Sequence, residues 1–225
     1  MIFFAASPDT FFARLFKLTG LLFDGVPNTL ILFFVTIALS LPFGLALAFG
    51  RQSRFAPLRW VINGYVWLLR GTPLMLQLFF VYYGLPYLLP AMASLSRLQC
   101  GCLTFVLNYA AYYCEIFRGG LSGIDRGQHE AARVLGMSRW QSTWHITLPQ
   151  MFRTTLPAVT NEMITLVKDT ALVAAIGVTE VLFYAKSAVR REVDTLAYVV
   201  AAGIYLLLTG LLTALMRYLE KKNEY

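Results

Sequence analysis

Apolar residues gather in five long stretches along this chain: Thr29 to Gly50, Trp60 to about Leu89, Gln99 to Phe117, Leu156 to about Tyr184, and Thr195 to Leu219. A helix needs about 20 mostly apolar residues to cross a bilayer, so the pattern predicts five transmembrane helices. The second and fourth stretches are long and interrupted by polar residues, which leaves their ends open. Residues Thr10 to Phe23 set Arg14 and Lys17 among Phe and Leu, a pattern that suits a helix lying along the interface. The composition agrees, with 58% hydrophobic and 14% charged residues and a mean hydropathy of +0.61, far from a soluble domain. The expected fold class is an all-α membrane protein, a single transmembrane domain over 1–225 with an N-terminal interfacial segment over 1–24. No basic start, short apolar run and small-residue cleavage site follow in order, so a cleavable leader is not expected.

Basic residues set the expected orientation. With the N-terminus outside, the cytoplasmic side receives Arg51, Arg54, Arg59, Arg118, Arg126, Arg133, Arg139, Arg153, Arg217, Lys221 and Lys222, eleven of the nineteen. The outside receives six: Arg14, Lys17, Arg97, Lys186, Arg190 and Arg191. The run Lys186 to Asp194 alternates in sign and reads as a solvated outer loop. The net charge of +7 is on this reading a topology signal, and nucleic acid is not an expected partner.

The third and fourth stretches are joined by a polar loop, 118–154, with helix signals of its own. It reads Glu130-Ala131-Ala132, three residues, Gly136, nine residues, then Ile146-Thr147-Leu148-Pro149. Ala131 and Ala132 are small enough to let a partner approach a helix closely. Gly136 suits the positive φ of a helix C-cap. Pro149 disfavours helix at Leu148 and suits the start of the next helix. The expected order is a short cytoplasmic helix, a Gly stop, a second short helix from Ser138 carrying Trp140 and Trp144, and a new span.

Ionisable groups within a span are costly and face water or a partner. Arg70 stands about ten residues into the second stretch, near the midplane at about 1.5 Å per residue. Pro73 removes a backbone donor and opposes the carbonyl of Leu69, which predicts a kink. Arg70 suits either a ligand or a structural role, capping carbonyls or holding a neighbouring acid. In the fourth stretch Glu162, Thr165 and Asp169 fall at i, i+3 and i+7, one helix stripe with two carboxylates about 10 Å apart along the axis. Asn161, Thr165 and Lys168 form the adjoining stripe. Such a face suits the lining of a translocation path, or salt links that hold the bundle. Gln77 and Tyr82-Tyr83 suit the outer half of a path, although Tyr is also an interface anchor. Asn108 and Tyr112 share a face of the third stretch, suited to a ligand or to an interhelical hydrogen bond. Glu115 and Arg118 predict a local i, i+3 ion pair.

Cys100, Cys102 and Cys114 carry no metal spacing, and the two His lie in the polar loop, so packing is the expected role and no metal site is expected. No phosphate-cradling Gly loop with Lys-Ser or Lys-Thr occurs, and no nucleophile, base and orienter stand at a recognisable spacing. The chain is not expected to be an enzyme.

The loop spacing resembles the EAA loop of ATP-binding-cassette importer permeases. Leu69-Arg70-Gly71-Thr72-Pro73-Leu74, Gln77-Leu78-Phe79-Phe80, Tyr83-Gly84-Leu85-Pro86, Glu115-Ile116-Phe117-Arg118-Gly119-Gly120, Gly127-Gln128, Asn161-Glu162 and Lys168-Asp169-Thr170-Ala171-Leu172 are similar to the polar amino-acid branch of that family. The likeness runs from about residue 25 to 219. It implies a type I importer permease fold in the bacterial cytoplasmic (inner) membrane, with the C-terminus in the cytoplasm. It also implies an ATPase dimer docked on Glu130, Ala131, Ala132, Gly136, Ile146, Leu148 and Pro149. ATP and Mg would be held by that ATPase, with no cofactor in this chain. The other implied partners are a second permease copy or paralogue, an extracytoplasmic substrate-binding protein and membrane lipid. An amino-acid substrate offers an ammonium and a carboxylate, for which Arg70, Gln77, Asn161, Glu162, Thr165, Lys168 and Asp169 are the candidate ligands. Two carboxylates tilt the reading towards arginine, lysine or histidine, while Arg70 and Lys168 suit acidic or neutral amino acids. An ion-driven secondary transporter or channel, with Lys168 and Asp169 as relay groups, is the alternative; a non-transporting subunit in assembly or sensing is a third reading.

Overall fold

The computed structural model describes residues 8–192 and 195–223; Val193 and Asp194, at the end of the expected outer loop, lie outside the described residues. All regular structure among the described residues is helical. Two helices open the chain, α1 (Pro8–Phe23) and α2 (Val26–Arg51). The second expected span is α3 (Ala56–Gly71), then α4 (Leu74–Phe79), a π turn Phe80–Gly84 and α5 (Leu85–Leu88). The third is α6 (Arg97–Ser122). The polar loop supplies α7 (Arg126–Val134) and α8 (Arg139–Ser142). A π turn, Thr143–Thr147, leads into α9 (Leu148–Asp169), which tightens to a 3-10 turn over Thr170–Ile176. Then come α10 (Val181–Glu192) and α11 (Leu196–Asn223).

Among the described residues, Thr10–Arg51 and Leu196–Lys221 are long and apolar enough to cross a membrane, and four spans qualify if each of two bent helix pairs counts as one. The α6 helix adds 26 residues, about 39 Å at 1.5 Å each, and buries the polar Thr104 and Asn108.

Three sequence expectations change. Lys186 to Glu192, expected within a solvated outer loop, is instead the last part of helix α10, which buries Ala185 and Ala188 on one face. At Pro73 the chain breaks where a kink was expected: Thr72 leaves the helix at φ −118° and ψ 145°, because the proline ring crowds a helical residue before it. At Pro149 the reverse holds. Leu148 is helical, and the helix runs on from Arg139 to Ile176. The chain widens to the π turn just before the proline, where the Leu148 N–H bonds the Thr143 carbonyl five residues back. The wider turn relieves the clash that a proline makes with the carbonyl four residues earlier.

The chain divides by its packing into two compact units, one of Met1–Val35, Leu78–Cys102 and Ile164–Leu212, the other of Thr36–Gln77, Leu103–Met163 and Thr213–Tyr225. In the first, Leu18 and Leu22 of α1 join Val181, Ala185 and Ala188 of α10 and Val200, Ala201 and Ile204 of α11 in one buried apolar cluster, while Phe12 and Phe16 face outward. Gly25 lets the chain between α1 and α2 lie directly on the backbone at Glu180, where a Cβ would stand 2.5 Å from the carbonyl carbon. In the second unit α6 carries a ladder of rings, Phe105, Tyr109, Tyr113 and Phe117, with successive centroids 6.2 to 6.3 Å apart. Gly44 of α2 packs on Tyr113, and Gly120 of α6 on Met151 and Thr155 of α9.

Gly25→Ala forces apart two stretches of backbone that have no flexible side chain to move. It is expected to destabilise the protein by about 1–3 kcal/mol, read as a lower thermal midpoint in detergent. Gly20→Ala, with open space around it, serves as the neutral control; equal midpoints for the two variants would contradict the packing.

Candidate functional site

The polar stripe of the fourth span is real in three dimensions, because α9 stays helical through Asp169. Asn161 and Lys168 are exposed, and Glu162, Thr165 and Asp169 are half-buried. Over this length a helix displays acid, amide, hydroxyl and ammonium on one broad face, a set able to hold both ends of a zwitterion.

Gln77 has a different engagement. Pro73 deprives the Leu69 carbonyl of its helical donor. Gln77 Nε2 takes that place, donating to Leu69 O at 2.8 Å, with further contacts to Thr72 O at 3.1 Å and Thr72 Oγ1 at 2.8 Å. Asn108 Nδ2 donates to the same Leu69 carbonyl at 3.1 Å and to Gln77 Oε1 at 2.9 Å. The two amides therefore repair the broken span.

Arg70 meets an acid, as one of the two readings of it required. Its Nη1 lies 3.5 Å from Glu115 Oε1, and its guanidinium stands 5.3 Å over the ring of Tyr112. The expected Glu115–Arg118 pair forms at 2.8 Å. Arg51, from the end of α2, also donates to Glu115 Oε1. Three guanidinium groups thus share one carboxylate. Sequence reading missed Arg51 and the Asn108–Gln77 link because the partners are 64 and 31 residues apart and no periodicity joins them.

A second break follows α9. Gly177, at φ 79°, ends the 3-10 turn, and Arg97 Nη1 donates to its carbonyl at 3.3 Å while Arg97 Nε donates to Tyr82 OH at 3.2 Å. Asn28 Nδ2 donates to Thr179 O at 2.8 Å. The buried carboxylate of Glu180 accepts from the N–H groups of Leu182 at 2.8 Å and Phe183 at 2.7 Å, and from the Tyr205 hydroxyl. It thereby caps α10, whose first donors have no helical partner.

In the polar loop Asp125 caps α7 by accepting from Gly127 N–H at 2.6 Å. Gly136, at φ 73°, closes the helix. The N–H of Met137 bonds Ala132 O and that of Gly136 bonds Arg133 O, each at 3.0 Å, the paired pattern that stops a helix at a left-handed residue. Ser138 and Gln141 then cap α8 reciprocally. Glu130, Ala131, Gly136 and Pro149 are exposed, and Ile146 is half-buried. Ala132 and Leu148 are buried, at 1% and 6% exposure, so they pack within this chain. Val134 at 88% exposure and Leu135 at 77% are outward apolar groups that the sequence did not single out, and the expected Trp140 of α8 is 70% exposed.

This arrangement defines a class of protein: a helical transport permease with a type I importer fold. A solved structure of an amino acid ABC transporter with histidines shares the fold at a TM-score of 0.84 and 31% identity, over 94% of this chain and 98% of that one. The MetNI methionine ABC transporter in an inward-facing conformation matches at a TM-score of 0.73 and 20% identity over 91% of this chain and 97% of that one, a likeness of fold. Residues 40–225 match the family of binding-protein-dependent transport system inner membrane components, and the chain belongs to it. A probable amino-acid ABC transporter permease of Bacillus subtilis is 37% identical over 202 residues, covering 89% of this chain and 88% of the relative. An arginine transport system permease of the same organism is 37% identical over 200 residues, covering 88% and 90%. An L-cystine transport system permease, also from Bacillus subtilis, is 35% identical over 210 residues, covering 92% and 86%. The likeness drawn from the sequence motifs therefore holds.

Glu115→Gln would leave Arg51, Arg70 and Arg118 facing one another without their carboxylate. Because Arg70 and Arg118 are partly exposed and screened by solvent, a destabilisation of about 1–3 kcal/mol is expected, measured as a lower unfolding midpoint in detergent, and adding Arg51→Met to the same chain should recover part of it. A native midpoint in Glu115→Gln would contradict the shared carboxylate.

Proposed function

We propose that this chain is the membrane-spanning subunit of an ATP-driven importer that carries a polar amino acid into the bacterial cytoplasm. The observation that carries this reading is the exposed apolar end of α7. Val134 ends the short polar helix α7, Leu135 caps it and Trp140 stands on α8, all exposed and outside the apolar spans, where water penalises them unless a partner covers them. The occupant is an ATPase dimer, which binds ATP and Mg in its own subunits.

Transmission follows from stiffness. The stop at Gly136 leads straight into the capped start of α8, and from Arg139 the helix is continuous to Ile176. A push on α7 therefore moves the polar stripe of α9 along with the loop. With the N-terminus outside and the C-terminus in the cytoplasm, nucleotide-driven closure of the ATPase turns the stripe towards an external binding protein, and its release turns it inward. A second permease copy or paralogue completes the path. Glu162 and Asp169 favour the ammonium or guanidinium of a basic amino acid, with Asn161, Thr165 and Lys168 beside them. The arginine permeases among the relatives support that choice.

Reconstitution of the chain with its ATPase and binding protein in liposomes, followed by an uptake screen of the twenty amino acids, tests the proposal. ATP-dependent uptake led by a basic amino acid is expected. Uptake driven by an ion gradient without the ATPase would overturn it. In the same system Gly136→Val places a β-branched residue where φ is positive, a conformation it resists. Uptake is expected to fall at least about tenfold, the scale of 1.4 kcal/mol, with the permease still inserted in the membrane; native uptake would contradict transmission through this stop.

A further inference from the structure

The group around Glu115 holds more positive charge than its carboxylate neutralises. Arg118 occupies Oε2 through both Nε and Nη2 at 2.8 Å, and Arg51 donates to Oε1. Arg70 is left with one 3.5 Å approach to Oε1 and the face of Tyr112. A guanidinium has five N–H donors in a planar fork that matches a carboxylate by two parallel bonds, and Arg70 spends little of that capacity on Glu115. Its side chain is 41% exposed, whereas Glu115 and Arg51 are each 19% exposed. The ring of Tyr112 fixes the plane of the fork, since a cation is attracted to an aromatic face at this distance.

The setting adds to the chemistry. Glu115 stands two residues before Phe117, at the inner end of the third apolar stretch. Three guanidinium groups against one carboxylate leave two positive charges in excess there, which favour an incoming oxyanion that pairs with them. Gln77 and Asn108 offer no competing site, their amides being held on the Leu69 carbonyl.

We infer that Arg70, oriented by Tyr112 and Glu115, binds the α-carboxylate of the transported amino acid on the cytoplasmic side of its path. The inference rests on the amino-acid importer reading and deepens it by assigning the substrate carboxylate to a named residue. A lipid phosphate has the same oxyanion chemistry, so the test separates the two sources.

The purified complex of the chain with its ATPase, in nanodiscs of phosphatidylcholine with or without phosphatidylglycerol, is titrated calorimetrically with the twenty L-amino acids. Each that binds is titrated again as its α-amide, beginning with L-arginine and L-argininamide. The native complex is expected to bind the acid at least about tenfold more tightly than the amide, as loss of a hydrogen bond to a charged group predicts. Arg70→Gln should bring that ratio close to one by weakening the acid alone, and Arg70→Lys should keep part of the preference. Equal weakening of acid and amide in Arg70→Gln would show a structural role and overturn the assignment. So would an unchanged ratio, including the case in which Arg70→Gln loses only phosphatidylglycerol binding, which assigns the site to lipid. A native complex that binds an amino acid without preferring the acid overturns this inference alone; one that binds none of the twenty overturns the importer reading as well.

Discussion

A bilayer offers no water to satisfy backbone polar groups, and this chain breaks two of its spans. The rest of the structure depends on how those breaks are made good. At Thr72-Pro73 the carbonyl of Leu69 loses its donor, and Gln77 and Asn108 supply two. At Gly177 to Glu180, Arg97 and Asn28 cover carbonyls while the Glu180 carboxylate covers the opening N–H groups of α10. Irregular backbone is tolerated at such depth only where it is buried in protein or lines a cavity. A straight helix would need no such repairs, so the amides and charges at these points are the cost of having bent spans in a transport path.

The polar groups of the spans accordingly fall into distinct roles. Gln77 and Asn108 maintain a break, and Glu180 and Tyr205 hold the start of α10 closed. The Glu162-to-Asp169 face of α9 stands on uninterrupted helix. Arg70 belongs to a third kind, partly paired and still exposed. These distinctions follow from what each side chain touches. Residue type alone would assign them all to substrate.

Much of this was legible in the sequence. The apolar runs located the long helices, and Gly136 and Ser138 marked the helix stop and start that the structure contains. The i, i+3 spacing gave Glu115–Arg118 correctly. What the sequence did not reveal depends on long-range packing. Arg51 reaches Glu115 across 64 residues, and Glu180 reads as an ordinary acid until Tyr205 is folded against it. Pro149 misled for a local reason: a proline usually marks a boundary, but a π turn upstream lets the helix pass through it. Burial likewise separated Ala131 from Ala132, neighbours of identical chemistry of which one is exposed and the other buried.

Energy input through α7 is the central claim, and hydrogen–deuterium exchange on the permease with and without its ATPase tests it most directly. Docking there predicts that backbone amides from Arg126 to Trp144 gain protection when the ATPase binds, strongest between Ala131 and Gly136. A stable complex in which that segment exchanges as in the permease alone, with protection confined to other loops, would contradict it.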